Sequence, residues 1–105
     1  MTKLATMEQE LARDRRRGIL EHLAVADGKC LPAGVLTELL SHGRHNIFRD
    51  VIESDCVLMA QHGLVTVEQM PSMAGPQKWV TSTGLGLDVA KGRSHPLVAE
   101  KLPGY

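Results

Sequence analysis

Aromatic side chains are nearly missing from this chain: Phe48, Trp79 and Tyr105 are the only ones in 105 residues. A core of ordinary size must then be aliphatic, filled by Leu, Val, Ile and Met. Net charge is missing too, with Lys plus Arg and Asp plus Glu at 12 each. No overall basic field draws the chain to nucleic acid, so any such contact must come from a local patch. The two cysteines, Cys30 and Cys56, stand far apart in sequence, which fits reduced thiols in a cytosolic protein. No apolar run approaches the length of a membrane span, and residues 1–6 lack the long apolar core of a signal peptide. A cytoplasmic location with no membrane partner is therefore expected. Glycine-rich phosphate loops, nucleophile-elbow patterns, Cys-x-x-Cys pairs, internal repeats and low-complexity tracts are absent as well. Neither an enzyme nor a cofactor is expected.

What is present is clearest between residues 45 and 81. Phe48, Val51, Ile52, Cys56, Met59 and Ala60 return every three or four residues, the period of a helix running from Asn46 to His62. Gly63 then stops the helix, as a residue free to adopt the left-handed conformation would. Residues 64–68 read as a strand, residues 69–76 as a loop with two prolines and a glycine, and residues 77–81 as the returning strand. A helix passing through Gly63-Leu64-Val65 into a β-hairpin is the closing half of a winged helix-turn-helix.

Upstream, Thr6-Met7-Glu8-Gln9 has the form of a capping box, and Leu11, Ile19, Leu20, Leu23 and Ala24 line one side of a first helix that Asp27-Gly28 ends. Arg13, Asp14, Arg15, Arg16 and Arg17 fall on its other side. With Glu8, Glu10 and Glu21 alongside, that side reads as a solvated face rather than a phosphate contact. Residues 29–31 are long enough only for a bridge or a short third strand. Pro32 suits the first turn of a second helix, whose stripe is Val35, Leu36, Leu39 and Leu40, closed by Ser41-His42-Gly43. The turn 43–46 leads into the third helix with Asn46 as its N-cap. Beyond the hairpin, Thr83 can cap a short fourth helix ending at Gly92. Gly84 and Gly86 weaken it by about 1 kcal/mol each, so it must pack on the first helix.

The expected fold is α+β: a winged helix-turn-helix ordered helix, helix, helix, hairpin, helix. Residues 1–92 form the domain with its N-terminal helical extension, and residues 93–105 an extended tail. Ile19, Leu20, Leu23, Val35, Leu36, Leu39, Ile52, Met59, Leu64 and Trp79 are the expected core. Leu4, Met7, Leu11, Leu85, Leu97, Val98, Leu102 and Tyr105 are left without an evident partner inside the chain. This points to a homodimer joined through the N- and C-terminal segments.

At Arg49-Asp50, Asp55, Gly63-Leu64-Val65 and the run Gly86-Leu87-Asp88-Val89-Ala90-Lys91-Gly92, the sequence resembles a small family of proteins from Mu-like phages and prophages. These are of uncharacterised function, described as winged-helix and loosely labelled ArsR-like. The resemblance spans about Asp14 to Arg93. It implies a winged-helix fold, a phage origin and the host cell cytoplasm. Family members carry a large apolar residue at Cys56 and more basic charge along the third helix, where this chain has Val51 and Glu53. The cysteine motif of metal-sensing ArsR proteins is absent, so metal regulation does not carry over.

In a DNA-binding reading, Arg44, His45, Asn46 and Arg49 would meet the duplex from the start of the third helix, and Gln77 and Lys78 from the wing. Arg can bond a guanine edge bidentately, and Asn an adenine edge. Asp50, Glu53 and Asp55 oppose this by repelling phosphates, and the wing loop 69–76 has no Lys or Arg. Cys30, His42, His45 and Cys56 are metal-ligand types without metal-ligand spacing, so no metal is expected. A Cys–His dyad such as Cys30 with His42 is the kind of nucleophile–base pair the sequence could offer, and it does not carry an enzyme reading. Two functions fit: a regulatory or DNA-handling protein that binds double-stranded DNA, or a module docking on a phage or host protein, with Met70, Met73 and the wing prolines as a soft apolar contact.

Overall fold

The computed structural model describes residues 3–41, 47–73 and 75–101. Helix α1 (Lys3–Val25) is followed by a 3-10 turn at Asp27–Lys29, strand β1 (Cys30–Pro32), helices α2 (Ala33–Leu40) and α3 (Arg49–Gln61), strands β2 (Val65–Met70) and β3 (Gln77–Ser82), and helix α4 (Gly84–Lys91). The three strands form one antiparallel sheet with β3 in the centre. Val67 faces Val80 across the hairpin, and Leu31 pairs with Val80 on the other side. This is the expected winged helix, and the segment at residues 29–31 does supply its third strand, shifted by one residue.

The switch from α3 to the wing is built from backbone bonds. Gly63 takes φ +77°. Gly63 N–H donates to the Ala60 carbonyl (3.1 Å) and Leu64 N–H to that of Met59 (3.0 Å), the paired bonds that close a helix at a left-handed residue. Leu64 is thereby turned inward and fully buried. The start of α4 docks on the same corner. The Thr83 hydroxyl accepts from Gly86 N–H (3.1 Å) and donates to the Gly63 carbonyl (2.6 Å). Gly86 looked like a weakness in the sequence, but it is required: a Cβ there would overlap the Leu64 carbonyl oxygen.

Four boundaries and faces differ from expectation. Helix α1 starts at Lys3, so Thr6 lies inside it and not at a cap. Helix α3 starts at Arg49 with Phe48 as an uncapped N-cap; Asn46 lies outside the described residues. Phe48 is thus 72% exposed rather than part of the apolar stripe. On α2, Val35 and Leu39 remain 39% and 41% exposed. Eight residues bury only a narrow stripe between α1 and α3, and Ala33, Leu36 and part of Leu40 fill it. Ile19, Leu20, Leu23, Leu36, Ile52, Met59 and Leu64 are the core as expected, joined by Val65, Val80, Val89 and Val98, while Trp79 is half-buried.

The arginine run is not a solvated face. Arg15 and Arg16 both bond the carboxylate of Asp55, which is 4% exposed on α3. Arg17, 9% exposed, donates to the Val89 and Ala90 carbonyls at the end of α4 and to the Ala99 carbonyl, where cations are favoured at a helix C-terminus. Arg16 reaches the Leu97 carbonyl (3.1 Å), Arg13 that of Val98 (3.2 Å), and Ala99 N–H returns a bond to the Arg13 carbonyl (3.2 Å). The first part of the tail is therefore strapped to α1 of its own chain. Val98 is 1% exposed, and Leu97 and Leu85 pack against the core. Of the apolar residues without an expected partner, these three find one within the chain. Met7 and Leu11 stay 59% and 58% exposed.

Candidate nucleic-acid interface

The face that a winged helix offers to a ligand is made by the outer side of α3, the turn before it and the wing. Along α3, Ile52, Asp55, Cys56 and Met59 turn inward. Asp50, Ser54, Val57 and Gln61, spaced by four and three residues, form the exposed stripe. Arg49 and Glu53 lie on its flank, one helical turn apart. Lys78 reaches the same flank from β3, where it pairs with Gln69.

Of the six residues expected to contact DNA, three are placed. Arg49 and Lys78 converge on one carboxylate. Arg49 Nε donates to Glu53 Oε2 (3.1 Å), and Lys78 Nζ lies 3.6 Å from Glu53 Oε1. Arg49 also covers Gly34 of α2, its guanidinium 3.9 Å from where a Cβ would stand. Gln77 begins β3 opposite Met70, towards the tip of the wing, and is half-buried. Arg44, His45 and Asn46 lie outside the described residues. Ser41 organises the two ends of that segment, donating to the Ile47 carbonyl (3.2 Å) and accepting from Ile47 N–H (3.1 Å).

The charge of the face differs from a count along α3. Asp55 belongs to the interior, where Arg15 and Arg16 offset it, so it faces no ligand. Among the described residues, α3 and its flank keep Arg49 and Lys78 against Asp50 and Glu53, and the wing adds exposed Glu68. The sequence does place Glu53 where a phosphate-binding side chain would help. Its part as a bridge between α3 and the wing depends on Lys78, 25 residues further on in a different element, which no local spacing signals. The wing turn is closed by paired backbone bonds between Ser72 and Gly75 (3.1 and 3.0 Å), and exposes Met70 and Met73.

Neither thiol belongs to this face. Burial pushes the Cys56 thiol up to about 12, with the Asp55 and Glu53 carboxylates adding to the effect and Lys78 opposing it. Such a thiol is a protonated core group and a poor nucleophile at neutral pH. Cys30 Sγ accepts from the Thr81 hydroxyl (3.1 Å). Among the described residues no three His, Cys, Asp or Glu side chains gather as a metal site, and no helix is long and apolar enough to cross a membrane.

The fold is a winged helix of the kind found in transcriptional regulators. One structure of similar fold is a transcriptional regulator homologue from Pyrococcus horikoshii OT3, with a TM-score of 0.58 and 21% identity over 72% of this chain and 68% of that one. A second is a PadR-family transcriptional regulator from Eggerthella lenta DSM 2243, with a TM-score of 0.57 and 19% identity over 84% of this chain and 76% of that one. No family model matches the sequence, and no curated protein does.

Proposed function

We propose that this is a DNA-binding transcriptional regulator that reads duplex DNA with the N-terminal half of α3 and the turn end of the wing strands. The observation that carries the reading is the convergence of Arg49 from α3 and Lys78 from β3 on one surface. Both remain partly exposed and both come from the elements that a winged helix lays against a duplex. Withdrawal of Asp55 from that surface, through its bonds to Arg15 and Arg16, takes away one of the three α3 carboxylates that oppose the reading. The two solved structures of similar fold are regulators by name, which supports the same reading.

A homodimer is part of the proposal. Met7 and Leu11 form an exposed apolar strip on α1, beside a shallow groove lined by Glu8, Gln9, Ala12, Arg13, Arg16 and Pro96. Twofold pairing through it would present two α3 helices to successive turns of a duplex. Service in a phage is also proposed, and rests on the sequence resemblance alone.

The second reading, docking on a protein, is favoured by the exposed stripe of α3, which has no cation, and by exposed Phe48, Met70 and Met73. Selection of bound sequences from a random duplex library separates the two. Enrichment of a two-fold-symmetric site is the expected result, and a pool that stays random through repeated rounds would remove the regulator reading.

A further inference from the structure

Glu53 stands between the two cations that the proposed interface relies on. Each of its carboxylate oxygens is taken by a different element. Oε2 accepts from Arg49 Nε at 3.1 Å within α3, and Oε1 lies 3.6 Å from Lys78 Nζ on the central strand of the sheet. The Glu53 side chain is the least exposed of the three, at 24%, against 47% for Arg49 and 39% for Lys78. The carboxylate therefore sits behind and between the cations rather than in front of them. Arg49 also lies over Gly34 of α2, its guanidinium within van der Waals range of where a Cβ would stand.

We infer that Glu53 is a gate on DNA affinity: it holds Arg49 and Lys78 on the protein, so that a phosphate must compete with a carboxylate for each of them. The inference rests on the DNA-binding reading and deepens it by naming the residue that sets discrimination. A surface whose cations are already bonded releases few counterions on an arbitrary duplex, and counterion release is the main source of nonspecific affinity. A duplex that also satisfies the base-reading side chains supplies the free energy to draw Arg49 and Lys78 outward. Suppressing attraction to wrong partners in this way raises specificity at the expense of raw affinity. The same bridge ties the turn end of β3 to the N-terminal half of α3, so it also sets the spacing of the two reading elements.

The neutral isostere tests this. Glu53→Gln keeps the size and one acceptor but removes the charge. Binding to a fluorescein-labelled duplex of mixed sequence is followed by anisotropy between about 50 and 200 mM salt. The full-length variant is expected to bind roughly ten-fold tighter than wild type at the low end, with a log–log salt slope steeper by up to about two units, one per released cation. Adding Arg49→Gln and Lys78→Gln to Glu53→Gln should return both quantities to wild-type values or below. Glu53→Ala is the second variant should the glutamine side chain misplace the wing, and its slope should steepen in the same sense. Wild type that binds DNA, with Glu53→Gln and Glu53→Ala unchanged or weaker, would overturn the gate and leave the DNA-binding reading standing. Absence of binding by wild type and all variants across the salt range would overturn both.

Discussion

Leu23 and Leu39 both sit at helical periods that mark buried residues, yet the fold treats them differently. Leu23 is fully enclosed and Leu39 is 41% exposed. Leu23→Ala should cost about 2–5 kcal/mol, as large-to-small changes in a closed core do. Leu39→Ala should cost less than about 1.5 kcal/mol, since much of its surface is already in water. Denaturant midpoints read the difference, and equal shifts would mean that the two sites are equally packed. The periodicity was sufficient to find Ile19, Leu20, Leu23, Ile52 and Met59, because the long helices α1 and α3 offer several turns from which to fix a face. On α2, an eight-residue helix, the same pattern admits more than one stripe, and packing against two neighbours chose Ala33 and Leu36. Gly86 is illegible for another reason: helix propensity counts its cost and cannot see the Leu64 carbonyl that excludes any larger residue. Gly86→Ala should destabilise by roughly 1–3 kcal/mol despite raising propensity; a higher Tm for that variant would show that α4 can slide away from the corner.

At the scale of elements, α1 is the strut to which α3, α4 and the tail are fastened, and arginines do the fastening. Asp55→Ala should cost about 3–5 kcal/mol, because it leaves the largely buried Arg15 and Arg16 guanidinium groups without their counter-charge. A loss within about 0.5 kcal/mol in urea denaturation would show that water replaces the carboxylate. Like charges in succession read as a solvated face, and nothing local distinguishes a run that grips buried carbonyls and a carboxylate on elements folded far along the chain. The strap also carries a pH dependence. His95 Nδ1 accepts from Leu97 N–H (3.2 Å), and the His62 ring stands edge-on at 6.0 Å. Burial lowers the His95 pKa from its ordinary 6.5, and the neighbouring His62 and Arg93 lower it further, Arg93 itself being paired with Asp88 (3.8 Å). The unfolded chain then binds the proton more readily, so stability is fully present above pH 6.5 and falls as pH drops below it. His95→Gln should flatten the fall in Tm between about pH 7.5 and pH 5. Identical profiles for wild type and variant would assign the dependence to other groups.

For the whole molecule, the order of helices and hairpin was legible because Gly63 and the change of period from helix to strand mark the turn into the wing. The ligand face was legible only in its members. Arg49 and Lys78 could be named from their types, but their common bond to Glu53 and the withdrawal of Asp55 depend on how α1, α3 and β3 come together. Sedimentation equilibrium at micromolar concentration should give twice the 11.5 kDa chain mass; a monomer mass would remove the twofold arrangement of reading helices. The central claim, that this winged helix binds duplex DNA through phosphates and base edges, is tested most directly by the salt dependence of wild-type binding to the duplex selected from the random library. The affinity should fall linearly on a log–log plot of binding constant against salt, by roughly 0.9 units per phosphate neutralised. Binding that is unmeasurable at about 50 mM salt, or that does not respond to salt, would contradict the account.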